Sequence, residues 1–263
     1  MLETRTVEAK TKYIPVLPTQ DDLPYKDTSF RHHFIPRLPT QDDLPYEDGI
    51  PMETERHRLQ MELLINSLKP WLAQNGGGYV SGNMFVYFSA NQLKNEDFRG
   101  PDVFVVLGVS NQERKSWVVW EESKTLDIVI ELLSENTTKE DKGKKKLVYQ
   151  NQLGVSEYFW FDPFNAEDWA GFELQHGIYQ PMVPNVQNCF ISQRLGLALT
   201  RWHGVYENAE AVWLRWETLD GELLLTPQER ANLAEQKANA AEQRAQAAEA
   251  EIARLKALLA EQK

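Results

Sequence analysis

Apolar residues in the first third of the chain recur with the spacing of a helix. The positions are Leu59, Leu63, Leu64, Leu68 and Leu72, and three glycines follow at 76–78. Steps of four, one, four and four residues place these leucines on one face of a helix, and glycines commonly end one. The pattern predicts an amphipathic helix that starts near Glu53 and lies on a sheet.

Short apolar runs further along have the length and the β-branched content of strands. They are MFVYFS (84–89), VFVVLG (103–108), WVVW (117–120), DIVIELL (127–133) and YFWFD (158–162), with further short strands expected through Trp216. A Lys-rich segment of helical character, from about Lys139 to Gln152, lies between the last two runs. This order predicts an α/β fold, in which a mixed sheet is flanked by helices and carries additional β structure.

The C-terminal segment from about Pro227 has a different pattern. Small and apolar residues alternate in steps of four and three at Ala234, Ala238, Ala241, Ala245, Ala248, Ile252, Leu255 and Leu259. This is the seam of a coiled coil. Alanine buries little area, so pairing is expected mainly through the last three positions. A long solvated helix is the alternative interpretation.

The first fifty residues contain a duplication. IPVLPTQDDLPYKD at 14–27 returns as IPRLPTQDDLPYED at 35–48. Both copies are Pro-rich and acidic without helical or strand periodicity, which indicates extended segments over the surface or disordered ones. We interpret the first copy as a dispensable duplicate. The expected organisation is a duplicated segment at 1–34, a domain at 35–226 and a coiled-coil helix at 227–263.

The composition is sufficient for a hydrophobic core and excludes several classes of protein. Hydrophobic residues make up 42% of the 263 residues, enough for one sizeable domain. A single cysteine, Cys189, excludes an internal disulfide framework and a multi-cysteine zinc site. No early apolar segment resembles a signal peptide or reaches transmembrane length, so a cytoplasmic protein without membrane contact is expected.

The net charge of −11 argues against strong sequence-independent binding to nucleic acid, which depends on neutralising phosphates with Lys and Arg. A local basic patch can persist on an acidic protein. The evident one has lysines at 139, 142, 144, 145 and 146. The simplest explanation of such a run is a solvated helix face.

Glu131 interrupts the apolar run DIVIELL, where a strand covered on both faces rarely carries a charge. Burying an unpaired carboxylate costs several kcal/mol, so Glu131 must be paired, protonated or bound to a metal ion. Asp102 stands at the entrance of the run VFVVLG. If these two strands pair, Asp102 and Glu131 converge, and one would protonate unless a cation lies between them. Oxygen ligands of this kind suit magnesium or manganese.

At these residues the chain resembles a known family. The segment GPD, the motif IELLS and the tail GVSEYFWFDP resemble the Uma-type restriction endonucleases, also described as domain of unknown function 820, within the PD-(D/E)xK nuclease superfamily. The resemblance covers about Leu38 to Glu217. The positions that fall in order are Glu131, Ser134, Thr137, Asp141, Lys145, Tyr149, Gly154, Glu157, Tyr158 and Asp162.

The resemblance implies a restriction-endonuclease-like fold and a metal-dependent endonuclease acting on nucleic acid, with DNA the expected substrate. It implies that Asp102 and Glu131 hold Mg²⁺ or Mn²⁺, with the Leu132 carbonyl as a further ligand. The superfamily's lysine normally follows the acid by two residues, where this chain has Leu133. Lys145 on the next helix is the position that matches, and it would orient the attacking water or offset developing charge.

Two further groups of residues lie near these positions. His57 matches a recurrent position of the family and would assist near the site, although a lone histidine is more often a surface or capping residue. Ser134 and Thr137 fit caps of the following helix better than chemical roles. The aromatic stretch around Trp160 could stack on bases, but its strand period favours core packing.

Three hypotheses remain open at this point. The first is an active nuclease, and the second is an inactive nuclease fold that serves as a binding module. In the third, Glu131 and Lys145 form a buried ion pair without metal, an arrangement that stabilises only marginally. The C-terminal helix would hold a homodimer or recruit a protein partner.

Overall fold

The computed structural model describes residues 38–45, 54–89, 98–134 and 138–261. The first copy of the duplicated motif lies outside them. Helix α1 (Glu55–Gln74) begins at the N-cap Thr54, whose side chain accepts a hydrogen bond from the His57 backbone N–H. Its leucine face is buried, as the spacing predicts, because it covers one side of the central sheet.

The central sheet has six strands. They are β1 (Gly78–Ser81), β4 (Val103–Leu107), β6 (Ile128–Leu132), β7 (Glu157–Phe161), β8 (Trp169–Gln175) and β9 (Ile178–Pro181), and they lie side by side in that order. Strands β6 and β7 are parallel, and every other neighbouring pair is antiparallel. The mixed sheet predicted from the sequence is therefore confirmed.

Two small sheets supply the additional β structure. One consists of β2 (Val86–Tyr87), β3 (Phe98–Arg99) and β5 (Trp117–Val118), with β2 in the middle. The other is β10 (Phe190–Ser192), β11 (Leu197–Tyr206) and β12 (Ala209–Glu217) in that order. The run WVVW is only half a strand, since Val119 and Trp120 begin helix α2 (Val119–Glu122). Tertiary contacts override local strand propensity there, because Trp120 donates a hydrogen bond to the Pro39 carbonyl.

A composite helix at 138–153 connects the parallel strands β6 and β7. It consists of α3 (Thr138–Glu140), a π-helical turn (Asp141–Lys145), α4 (Lys146–Val148) and a second π-helical turn (Tyr149–Leu153). Gly154 ends it with a positive φ of 61°, a conformation that glycine adopts without strain. The predicted crossover helix is confirmed, whereas its π-helical turns were not predicted.

Alternate residues of β6 face two separate core layers. Ile128, Ile130 and Leu132 pack in the layer that contains α1 and β12, whereas Val129 packs with Tyr149 of the composite helix. All five residues of β6 are buried. The strand is covered on both faces, as its composition predicts, and Glu131 lies on the face below the composite helix.

The long C-terminal helix α5 (Pro227–Glu261) is anchored at its start. Thr226 and Glu229 form a capping box, in which Thr226 N donates to Glu229 Oε2 (2.7 Å) and Glu229 N donates to Thr226 Oγ1 (3.2 Å). The buried Arg215 guanidinium donates to both carboxylate oxygens of Glu229 at 2.8 Å. Residues 231–256 are exposed, including Ile252 and Leu255 of the predicted seam.

None of the helices in the described residues combines the length and the apolar content needed to cross a membrane.

Candidate metal and catalytic site

Strand register brings Asp102 and Glu131 together. Val103 of β4 lies opposite Ile130 of β6, so the residue before Val103 lies opposite the residue after Ile130. Directly opposed side chains in an antiparallel pair share a face of the sheet. The two carboxyl groups are close enough for each to shift the pKa of the other. Asp102 Oδ2 also accepts a hydrogen bond from the Leu132 N–H at 2.7 Å, which fixes its orientation.

Glu131 is completely buried and has polar partners from the composite helix. The Tyr149 hydroxyl donates to Glu131 Oε1 at 2.7 Å, and Lys145 Nζ lies 3.3 Å from Oε2. Lys145 Nζ also lies 2.7 Å from Asp141 Oδ1. We call Asp102, Glu131, Asp141 and Lys145 the carboxylate–lysine cluster. The charge that interrupts the apolar strand is thus paired rather than isolated.

The π-helical turns lie where the composite helix meets the cluster. Asp141, Lys145 and Tyr149 are spaced by four, and all three reach the sheet face that carries Glu131. The Tyr158 hydroxyl of β7 donates to the Asp141 carbonyl at 2.8 Å, which ties the first π-helical turn to the sheet. The roles of Tyr149 and Tyr158 were not predicted. Both tyrosines are among the positions that fall in order with the family resemblance, which assigned no role to either.

Burial dominates the protonation of the two facing carboxyls. It raises the pKa of Glu131 to about 7, against the lowering effect of Lys145. It also raises the pKa of Asp102 to about 6, although the hydrogen bond from Leu132 opposes the shift. Burial alone would lower the pKa of Lys145, but the charges of Glu131 and Asp141 outweigh it and raise that pKa, so the lysine is cationic.

The cluster has more acid than base, with three carboxyl groups and one lysine. When all are ionised, the excess negative charge is buried and favours a bound cation. No group of three or more His, Cys, Asp or Glu side chains in the described parts of the chain is arranged to hold a metal. Magnesium usually takes only one or two protein carboxylates and retains waters, so the pair Asp102 and Glu131 fits it.

The Leu132 backbone adds a candidate oxygen ligand. Its N–H points to Asp102, and a strand residue directs its N–H and its C=O to the same neighbouring strand. The Leu132 carbonyl is therefore on the Asp102 side of β6. The ligand role that the family resemblance implies for this carbonyl stays a prediction.

His57 lies at the end of β6, beside this site. It is 5% exposed, with Nδ1 2.7 Å from Thr54 Oγ1 and Nε2 3.0 Å from the Leu133 carbonyl. A carbonyl only accepts, so Nε2 carries a proton. The hydrogen bonds described for His57 join α1 to the strand end rather than to the carboxylates, which favours a positioning role.

Of the two residues predicted to cap the composite helix, the structure describes Ser134. The Ser134 carbonyl accepts hydrogen bonds from the backbone N–H (3.0 Å) and the hydroxyl of Thr138. Thr137 lies outside the described residues. Ser134 thus contributes to the helix start through its backbone, consistent with a structural role.

The lysine run is divided among several environments. Lys142 Nζ pairs with Asp168, 2.6 Å from Oδ1, and Lys146 Nζ lies 3.3 Å from the centroid of the Phe172 ring. Lys139 and Lys144 are exposed. Of the five lysines, Lys145 is the one whose ammonium group joins the cluster, so the solvated-face explanation holds for only part of the run.

An exposed aromatic ring lies at the same edge of the sheet. Because β6 and β7 are parallel, the turn after β7 lies at the edge where β6 ends. Asp162 Oδ1 accepts hydrogen bonds from the backbone N–H groups of Phe164 (2.8 Å) and Asn165 (3.1 Å), so the turn is ordered. Phe164 is 65% exposed, and the Arg56 guanidinium lies 5.5 Å from its ring centroid. By contrast, Phe159 and Phe161 are core residues, in agreement with the core packing expected of this aromatic stretch.

The mixed sheet, with its carboxylate pair on adjacent strands, defines an α/β protein of restriction-endonuclease-like fold. Residues 36–205 match the model of a family described as "Uma2: Putative restriction endonuclease", and the chain belongs to this family. A crystal structure described as a "putative nuclease belonging to DUF820 from Anabaena variabilis" is similar, at 16% identity and a TM-score of 0.37, over 55% of this chain and 84% of that one. None of the curated proteins matches this chain.

Proposed function

We propose that this protein is a divalent-metal-dependent endonuclease that hydrolyses phosphodiester bonds of nucleic acid, with DNA as the substrate. The observation that carries the proposal is the position of Lys145. It is 14 residues beyond Glu131 in the chain, yet its ammonium group lies 3.3 Å from the Glu131 carboxylate. An acid pair on the sheet and a lysine from the crossover helix are thus brought together, and membership of the family supports a nuclease assignment.

Asp102 and Glu131 would hold Mg²⁺ or Mn²⁺ together with the Leu132 carbonyl. When bound, such an ion supplies Lewis-acid polarisation of the scissile phosphate and neutralises its charge. Tyr149 holds Glu131 through the 2.7 Å hydrogen bond to Oε1. Asp102 is held by the Leu132 N–H. Both ligands are therefore preorganised, which avoids reorganisation during the reaction.

Lys145 is the group that would face the substrate. Its side chain is 18% exposed, whereas Glu131 and Asp141 are 0% and 1% exposed. Lys145 is thus more exposed than these two carboxylates, and its ammonium group would donate a hydrogen bond to a phosphate oxygen or to an attacking water. Because its pKa is raised, it remains cationic and offsets the negative charge that develops in the transition state.

An inactive binding module is the second candidate function. Lys145 lies closer to Asp141 (2.7 Å) than to Glu131 (3.3 Å), an arrangement that a purely structural ion pair would also produce. The net charge of −11 also disfavours tight binding to nucleic acid. In this alternative the domain at 35–226 is a scaffold, and the coiled-coil helix at 227–263 recruits the partner.

The test is cleavage of plasmid and single-stranded DNA by the full chain with Mg²⁺ or Mn²⁺. Lys145→Ala and Glu131→Gln should each reduce the rate at least about 10²-fold, because each removes a preorganised charge. Lys144→Ala is the matched control, since Lys144 is exposed on the same helix, and it should cleave like the parent. Absence of cleavage by the parent, together with absence of metal binding in calorimetry, would favour the binding module.

A further inference from the structure

Residues 38–45, the described part of the second copy of the duplicated motif, lie in a groove on the domain. We call this groove, formed by Tyr87, Lys115, Val118, Trp120 and Glu121, the motif groove. Leu44 is 6% exposed and packs in the apolar cluster that contains Tyr87 and Val118. The Trp120 indole donates to the Pro39 carbonyl at 2.8 Å, and the Tyr87 hydroxyl donates to the Pro45 carbonyl at 2.6 Å. The segment is therefore held at both ends and through a buried leucine.

Polar contacts in the groove depend on particular side chains of the motif. The Lys115 N–H donates to Gln41 Oε1 at 2.8 Å, and the Gln41 N–H donates to Glu121 Oε2 at 2.9 Å. Lys115 Nζ lies 2.7 Å from Asp42 Oδ1. The Gln41 side chain and the buried Leu44 make contacts that particular side chains provide, so the groove recognises this sequence and not merely an extended backbone.

The motif forms its own turn. Asp43 Oδ2 accepts hydrogen bonds from the backbone N–H and the hydroxyl of Thr40, both at 2.9 Å, and the Asp43 N–H donates to the Thr40 carbonyl at 3.0 Å. A turn stabilised by its own Thr and Asp side chains depends on local sequence. Any segment with the same residues therefore carries the information for the same turn.

The first copy contains every residue of the described segment 38–45 that contacts the groove. The nine residues LPTQDDLPY occur at 17–25 and again, unchanged, at 38–46. The longer repeats differ only at Val16 against Arg37 and at Lys26 against Glu47. Both differences lie outside the contacting segment 39–45. The contacts that residues 38–45 make in the groove therefore do not distinguish the two copies.

We propose that the motif groove is a peptide-binding site that either copy of LPTQDDLPY can occupy within one chain. Whichever copy is displaced becomes a free ligand for the same site. This proposal does not depend on nuclease activity. It gives the first copy a role as a competing ligand in place of the dispensable duplicate suggested by the sequence.

Chain connectivity sets the ratio between the state in which the second copy occupies the groove and the state in which the first copy does. Pro45 is 9 positions before Thr54, where α1 is capped, and the corresponding Pro24 is 30 positions before it. Loop closure becomes less probable with about the −3/2 power of loop length. Because the groove contacts are the same, this difference disfavours the first copy by only about sixfold. Both states are therefore populated.

Cross-linking between cysteines measures the occupancy of the groove. Lys115 and Asp42 are suitable sites because their side chains are 57% and 73% exposed, and an exposed ion pair contributes little stability. The native Cys189 is buried. In the full chain, Lys115→Cys is combined with Asp42→Cys or with the equivalent Asp21→Cys, and a short bifunctional maleimide is added. Peptide mapping then identifies the linked residues.

We expect an intramolecular link for both pairs, with the Asp21 pair at about one sixth of the yield of the Asp42 pair. Leu44→Asp, which ejects the second copy, should raise the Asp21 link severalfold, and Leu23→Asp should abolish it. An excess of the synthetic peptide LPTQDDLPY should lower both links without any change to Leu44. This arm remains informative if Leu44→Asp unfolds the domain.

Several results would overturn the proposal. One is that the yield of the Asp21 link is no higher than in the same chain carrying Leu23→Asp. This result would have to hold both when residue 44 is leucine and when it is aspartate. Another is an Asp42 link that is unaffected by the peptide at any concentration. A third is a link in the Asp21→Cys chain found only between two molecules, because that would make the exchange intermolecular.

Discussion

Magnesium should stabilise this protein in alkaline but not in acidic solution. The folded-state pKa of Glu131 is about 7 and that of Asp102 about 6, both above their ordinary values of 4.5 and 3.8. A carboxyl whose pKa is raised on folding contributes stability below its unfolded pKa, and this contribution is lost as the pH rises through its folded pKa. The metal-free protein should therefore lose stability between about pH 4 and pH 7.

The size of the effect follows from these shifts. Each pKa unit corresponds to about 1.4 kcal/mol, so ionising Glu131 alone at pH 8 costs on the order of 3 kcal/mol in the metal-free protein. A ligand that binds only the folded state, at 100 times its Kd, raises the free energy of unfolding by about 2.7 kcal/mol. For a domain of this size such a gain raises the Tm by roughly 5–10 °C. At pH 5.5 protons compete for the same oxygens, and the increase should be small.

Differential scanning fluorimetry at pH 5.5 and pH 8, with Mg²⁺ or with a chelator, is the assay. Glu131→Gln should abolish the increase in Tm at pH 8. Glu157→Gln is the matched control, because Glu157 is a buried carboxyl with a raised pKa that is hydrogen-bonded to Ser192, outside the cluster. An equal increase at both pH values, or an increase retained in Glu131→Gln, would refute the assignment of the cluster as the metal site.

Three further outcomes are expected. Tyr149→Phe removes the hydrogen bond to Glu131 and should cost about 1–3 kcal/mol in urea unfolding, because the partner is a buried carboxylate; an unchanged midpoint would contradict this. Truncation after Leu233 keeps the Arg215–Glu229 pair, and sedimentation should show fewer chains per particle than in the parent if the seam pairs two chains; an unchanged number of chains per particle would remove the tail from assembly. Phe164→Ala should weaken binding of single-stranded DNA while Phe164→Tyr preserves it, since stacking contributes about 1–3 kcal/mol per base; equal binding by both would exclude stacking there.

The sequence predicted the sheet and the acid pair because the relevant signals are local. The apolar run around Glu131 indicates a strand buried on both faces whatever its neighbours, and Asp102 has a defined position at the start of another such run. Their convergence then required only that the two strands pair, which they do in the register that opposes these residues. The expectation about Lys145 came from the family resemblance.

The features that were missed depend on contacts between distant parts of the chain. Trp120 leaves its strand-like run because it meets the Pro39 carbonyl, 81 positions away in the sequence. Strand β1 begins at the third of three consecutive glycines, which conceal its strand propensity, and pairing with β4 defines it. The hydroxyl of Tyr158 contacts the Asp141 carbonyl across the crossover. No local pattern encodes such contacts, because they arise from the packing of layers.

The anchored start of α5 has a mechanical consequence. A helix of 35 residues at 1.5 Å per residue is about 50 Å long, and its first turn is fixed to the domain through Arg215 and Glu229. A molecule bound near Leu255 would therefore be held at a defined distance from the domain, because a continuous helix is stiffer than a flexible linker. In this protein the spacing between the domain and whatever its tail binds is set by a count of residues.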